Sequence, residues 1–125
     1  MGEFTEAADE LSTVFFDAEK ALRDFGFGVD AAIELRDDGM KLCWSKMKGT
    51  WRLRTVHGAV ETPITSQSIE IKIRAAHALP TLFDLLLERR HVRVGEMCDA
   101  IAVVSDLIAR IERTPRDPDS EVSDG

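Results

Sequence analysis

The sequence predicts an α+β fold, with one N-terminal helix, three antiparallel strands in a meander, and two to three further helices. Two periodicities predict it. In residues 5–25, and again after residue 68, apolar residues recur every three or four positions, as on the buried side of a helix. Between these regions, residues 29–55 alternate apolar and polar side chains, as in strands with one buried face. The expected order is α-β-β-β-α-α-α, with helices packed on one face of the sheet.

The first predicted helix covers residues 5–25. Thr5 is its expected N-cap, and the acids that follow suit the positive end of the helix dipole. Gly26 is expected to end the helix, because glycine readily adopts the left-handed conformation found there. Its apolar stripe consists of Leu11, Phe15, Ala18, Leu22 and Phe25.

Three short strands are predicted next, over residues 29–36, 40–45 and 50–56. Turn signals separate them, DDG at 37–39 and KMKG at 46–49. Both tryptophans, Trp44 and Trp51, fall in phase with the apolar residues of their strands. They are therefore expected in the core rather than on the outer face.

The second half of the chain reads as helical. Residues 58–68 are predicted to be a connection. The isoleucines of 69–74 alternate like a fourth strand, but the alanines that follow and the hydroxyl residues that precede them favour a helix. Pro80 suits the first turn of another helix, over 80–91. A last helix is predicted over 94–113.

Length and composition suggest one domain in residues 1–113, followed by an acidic, flexible tail in 114–125. Two cysteines, Cys43 and Cys98, are too few for a disulfide framework and suit a reducing interior. The first residues lack the apolar segment of a signal peptide, and no apolar run is long enough to span a bilayer. We therefore expect a soluble, cytoplasmic protein that does not enter membranes.

Positive charge is concentrated in the stretch KLCWSKMKGTWRLR, residues 41–54. It holds five Lys and Arg residues and no acid, although the chain has a net charge of −7. These cations, expected on the outer face and at the hairpin tip, could hold a phosphate-bearing ligand or could simply be solvated. Arg74 and His77 lie one turn apart on a predicted helix and could add contacts. The candidate ligand-binding residues are Lys41, Lys46, Lys48, Arg52, Arg54, Arg74 and His77.

The last predicted helix is apolar around most of its circumference, with a second stripe of small residues beside the main one. Left exposed, it would form a larger apolar patch than monomers usually carry. We therefore predict a homo-oligomer, although a monomer whose sheet and first helix cover this surface is the alternative. The candidate interface residues are Met97, Cys98, Ile101, Ala102, Ser105, Ile108 and Ala109.

Catalytic patterns are missing from the sequence. His57, His77 and His91 have no partner at metal-ligand spacing, and no nucleophile motif occurs. We predict a non-catalytic interaction protein without cofactor or metal, whose partner is itself, in a homodimer or a higher oligomer, or another protein. The first alternative is a protein that binds nucleic acid or a small nucleotide through the basic stretch. The second is an acidic inhibitor that occupies the nucleic-acid site of another protein.

Overall fold

The computed structural model describes residues 2–116, in two helices and a four-stranded antiparallel sheet, which confirms the α+β class. The elements are α1 (Gly2–Phe25), β1 (Ala31–Glu34), β2 (Lys41–Met47), β3 (Thr50–His57), β4 (Val60–Pro63), a short 3-10 helix (Ile64–Ser66) and α2 (Ile69–Arg113). The chain divides into two compact units, with the boundary inside α2 between His91 and Val92. Residues 117–125 of the predicted tail lie outside the described residues.

The sheet has four strands, in the order β1-β2-β3-β4, rather than the three predicted. β4 lies in the segment expected to be a connection and pairs Thr62 with Thr55 of β3. Gly58 permits the tight turn between these strands, because its φ of +61° lies in the left-handed region that glycine tolerates. β4 has the sequence VETP, in which apolar and polar side chains do not alternate, and its Val60 is 64% exposed, so periodicity does not reveal it.

α2 begins where a helix rather than a strand was predicted. The hydroxyl oxygen of Ser68 accepts a hydrogen bond from the backbone N–H of Ile71 at 3.3 Å, as an N-cap residue does. Ile71 and Ala75 then point into the core, four residues apart. The prediction of a helix over residues 69–74 is therefore confirmed.

The predicted breaks at Pro80 and after His91 are wrong, because α2 continues to Arg113. A proline inside a helix costs about 3 kcal/mol, since it removes one backbone hydrogen bond and crowds the preceding turn. Ala75 and Leu82, on either side of Pro80, are both fully buried. Packing on both sides of the proline therefore offsets its cost and keeps the helix continuous.

The core of the first unit lies between one face of the sheet and the helices that pack on it. Its central side chains come from β2 and β3, where Leu42 and Leu53 are fully buried and Trp44 is 2% exposed. α1 and the first half of α2 complete it with Phe15, Leu22, Leu82 and Leu86. The expected core position of Trp44 is thus confirmed.

α1 also bonds to one edge of the sheet. β4 pairs only with residues 54–57 of β3, so the start of β3 has no strand partner on that side. The buried carboxylate of Glu19 accepts the backbone N–H of Leu53 at 2.8 Å. The guanidinium of Arg23, one turn later, donates to the carbonyl oxygen of Trp51 at 3.1 Å. One turn of α1 thus satisfies backbone groups that a further strand would otherwise bond.

Candidate functional site

The basic hairpin, defined as residues 41–54 of β2, β3 and their turn, has exposed lysines. Lys41 lies at the start of β2, and Lys46 and Lys48 lie at the tip. Lys48 has a φ of 52°, in the left-handed region that the two-residue turn requires. These three ammonium groups are accessible to an anionic ligand.

Arg52 is engaged within the protein. Its Nε lies 3.4 Å from the Glu19 carboxylate, which also accepts the N–H of Leu53. The Arg52 side chain is 36% exposed, whereas that of Glu19 is 1% exposed. Because a buried carboxylate requires compensating donors, Arg52 contributes to the packing of α1 on the sheet.

Arg54 differs most from its predicted position. It was expected to face solvent, but it is only 6% exposed. Its Nη1 donates to both the hydroxyl and the carbonyl oxygen of Ser45, at 2.9 and 3.3 Å. The guanidinium therefore lies across the neighbouring strand and joins β3 to β2. An anionic ligand at this hairpin would meet three lysines rather than three lysines and two arginines.

The tryptophans of the hairpin stack on each other. Their ring centroids are 6.0 Å apart, and the ring planes differ by 18°. Trp44 is buried and Trp51 is half-buried. Stacking on nucleic-acid bases needs an open ring face. The buried ring of Trp44 is therefore part of the core rather than a binding platform.

Arg74 and His77 lie on the exposed side of α2, whereas Ile71 and Ala75 face the core. Within residues 2–116, no hydrogen bond or ion pair joins either side chain to the basic hairpin. The two residues are thus accessible, but no contact links them to the other candidate ligand-binding residues.

The outer face of the sheet carries a shallow depression of about 240 Å³, lined in part by Cys43, Ser45 and Glu61. Burial raises the pKa of the Cys43 thiol, while the nearby positive charge of Lys41 lowers it by a smaller amount. A thiol with a raised pKa holds less thiolate at a given pH, and the thiolate is the reactive form. Cys43 is therefore a poor nucleophile near neutral pH.

The low reactivity of Cys43 can be measured in a Cys98→Ser variant, which leaves one thiol. At pH 8, Ellman's reagent should modify Cys43 several-fold more slowly in the folded chain than in urea, because folding both covers the thiol and raises its pKa. The urea-unfolded variant is the control for reagent activity. Equal rates in the two states would contradict this account of Cys43.

Metal-ligand geometry is missing from the described part of the chain. Within residues 2–116, no group of three His, Cys, Asp or Glu side chains lies close enough to hold a metal ion. None of the helices in these residues is long and apolar enough to cross a lipid bilayer.

An apolar groove between α1 and the first half of α2 was not found from the sequence. It has a volume of about 500 Å³ and is bordered by Phe25 and Phe83, whose ring centroids lie 6.1 Å apart. Alanines on both helices, Ala18, Ala21 and Ala76, leave the space open. The groove was missed because its residues belong to the apolar stripes that sequence periodicity assigns to the core.

The surface of α2 from Val92 to Arg113 differs from that of every other element described. All its residues are exposed except Ala109, which is half-buried. Nine of the exposed residues are large and apolar, with exposed fractions between 42% and 68%. These residues are Val92, Val94, Met97, Ile101, Val103, Val104, Leu107, Ile108 and Ile111. The candidate interface residues all lie on this surface.

No protein-family model, curated protein or solved structure matches the chain.

Proposed function

We propose that the protein is a non-catalytic interaction protein that assembles with further copies of itself through residues 92–113 of α2. The observation that supports this most directly is the exposure of nine large apolar side chains on one helical segment. The largest apolar patch of a typical monomer covers about 300–600 Å², and such patches often mark interaction sites. A helix that is apolar around most of its circumference is normally covered on several sides.

The spacing of the apolar residues suits pairing with an identical helix. Positions 94, 97, 101, 104, 108 and 111 are separated alternately by three and four residues, as at the core positions of a coiled coil. The position farthest from the contact holds the charged residues Asp99, Asp106 and Arg113, and it is apolar only at Val92, before the first of these six positions. These six positions form the first apolar line. The order of its spacings is the same from either end of the segment, so this line on one copy can pack against the same line on another.

The free energy gained by burying these apolar side chains is comparable to the cost of association. Covering the exposed half of the six side chains at these positions contributes roughly 1 kcal/mol each, or about 6 kcal/mol for each helix. Association costs an estimated 4–15 kcal/mol in lost translational and rotational freedom. Because every copy contributes its own apolar surface, two or more helices together exceed most of this range.

Placing charge on the apolar line should dissociate the assembly. In an Ile101→Asp/Ile108→Asp variant, assembly would bury each carboxylate without a partner. The free-energy cost of this burial is far larger than the stabilisation from the apolar contact. Size-exclusion chromatography with light scattering should give 13.9 kDa for the variant and a multiple of that mass for the unchanged protein. Far-UV circular dichroism would show that the sheet and helices persist.

A matched control replaces two similarly exposed apolar residues elsewhere, in a Phe4→Asp/Val60→Asp variant. Their exposed fractions, 69% and 64%, are comparable to the 64% and 50% of Ile101 and Ile108. This control adds the same charge and should keep the mass of the unchanged protein. A mass of 13.9 kDa for the unchanged protein at micromolar concentration would refute the proposal.

A further inference from the structure

We infer that the assembly is a bundle of four copies rather than a dimer, an inference that rests on the proposed self-association. It starts from a second apolar line on the same segment. Ala100, Val103 and Leu107 follow one another at spacings of three and four residues. All three are exposed, Val103 to 68% and Leu107 to 49%. Glu96 and Arg110 continue this line at its two ends, so its apolar part is confined to the middle of the segment.

The two apolar lines face different directions. With 3.6 residues per turn, the mean direction of Ala100, Val103 and Leu107 lies roughly 90° around the helix from that of the line 94–111. A helix pair covers one line and leaves the other in water. In a closed ring of four parallel or antiparallel helices, each helix meets two neighbours in directions about 90° apart. Four helices therefore cover both lines at once.

The residues on the first line also disfavour a two-stranded coiled coil. Such dimers prefer β-branched residues at one core position and leucine at the other, whereas isoleucine at both favours three or four strands. Here one position holds Val94, Ile101 and Ile108, and the other holds Met97, Val104 and Ile111, so neither position holds the leucine that favours a dimer. The only leucine in residues 92–113 is Leu107, on the second line.

The positions that flank the first line are uncharged over most of its length. Dimeric coiled coils commonly carry Glu or Lys there, because these positions border a narrow contact and meet water. In this chain Arg93 and Glu112 occupy these positions at the two ends, and the positions between them hold Cys98, Ala100, Ser105 and Leu107. Small and apolar residues at these positions suit burial against a second neighbouring helix. The apolar surface of the segment is therefore wider than one partner helix can cover.

The mass of the full-length protein tests the inference. Sedimentation equilibrium should give four times 13.9 kDa. A dimer or trimer would overturn the four-copy arrangement and leave the proposed self-association standing. A monomer would overturn both, so the two failures are distinguishable.

A variant that changes only the second line gives an independent test. In Val103→Glu/Leu107→Glu, the first line stays intact while the second becomes charged, so the expected mass falls to twice 13.9 kDa. The control Phe4→Glu/Val60→Glu should keep the mass of the unchanged protein. A Val103→Glu/Leu107→Glu variant that stays tetrameric would overturn the role of the second line.

Discussion

Replacing Trp44 with alanine should lower the free energy of unfolding by about 3–5 kcal/mol, the usual cost of removing a large buried aromatic side chain. Trp44 is 2% exposed, pairs across the sheet with Leu53 and stacks on Trp51. Alanine would leave a cavity among fully buried neighbours, including Leu42 and Leu53, that the structure could close only in part.

The measurement is urea denaturation followed by far-UV circular dichroism, because the substitution removes a fluorescent residue. Protein concentration must be equal for all variants, since stability linked to assembly depends on it. Trp51→Ala is the matched control, because Trp51 lies beside Trp44 but is only half-buried. It should cost about half as much, in line with the apolar area that it buries. Equal losses for the two variants would contradict the assignment of Trp44 to the core.

Replacing Glu19 with alanine should lower the free energy of unfolding by about 2–3 kcal/mol, the scale for a buried donor left unsatisfied together with a lost charge-assisted bond. The N–H of Leu53, which now donates to Glu19 at 2.8 Å, would lose its acceptor in a buried place. Arg52 would also lose its carboxylate partner, but with 36% of its side chain exposed it can turn towards water.

Two control variants separate the hydrogen bond of Glu19 from its charge. Glu19→Gln keeps an oxygen that can accept the N–H of Leu53, so it should cost only about 1 kcal/mol. Asp17→Ala removes an exposed acid from the same helix and should change stability by less than about 0.5 kcal/mol. The same urea titration serves for all three. A Glu19→Ala loss no larger than that of Asp17→Ala would show that the contact does not stabilise the fold.

Periodicity predicted the elements whose apolar residues are regularly spaced. α1 and the strands around Trp44 show such spacing, whereas apolar and polar side chains do not alternate in β4, VETP. The sequence places Pro80 at the start of a helix because local preference disfavours proline inside one. Tertiary packing of Ala75 and Leu82 overrides that preference, and no single-sequence rule measures such packing.

The continuity of α2 after His91 did leave a signal in the sequence. Leu87, Val94 and Ile101 are separated by seven residues each, so the apolar period continues without a change of phase. Gly95 disfavours the helical conformation locally, but one glycine costs only about 1 kcal/mol in a helix. The apolar spacing on both sides of His91 was thus a better indicator of a continuous helix than the residues around His91.

The positions of the candidate site residues could be predicted only in part. Strand phase placed Arg54 on the outer face of the sheet, but phase does not show what a long side chain contacts. The Arg54 side chain is held by Ser45 on the neighbouring strand. Ser45 pairs with Arg52, two residues before Arg54, and this register between the strands was not predicted. Likewise, the bond between Glu19 and Leu53 joins residues 34 positions apart. By contrast, the apolar spacing of residues 92–113 is local and visible in the sequence, whereas the exposure of these residues is seen only in the structure.

The contact of α1 with β3 also limits how the sheet can grow. A strand edge with free N–H and C=O groups is a template on which strands of other molecules can add, and this is how many proteins aggregate. At the start of β3, Glu19 and Arg23 occupy one group of each kind. Both side chains are charged, and a further strand would have to displace them. α1 therefore protects this part of the sheet edge against edge-to-edge polymerisation.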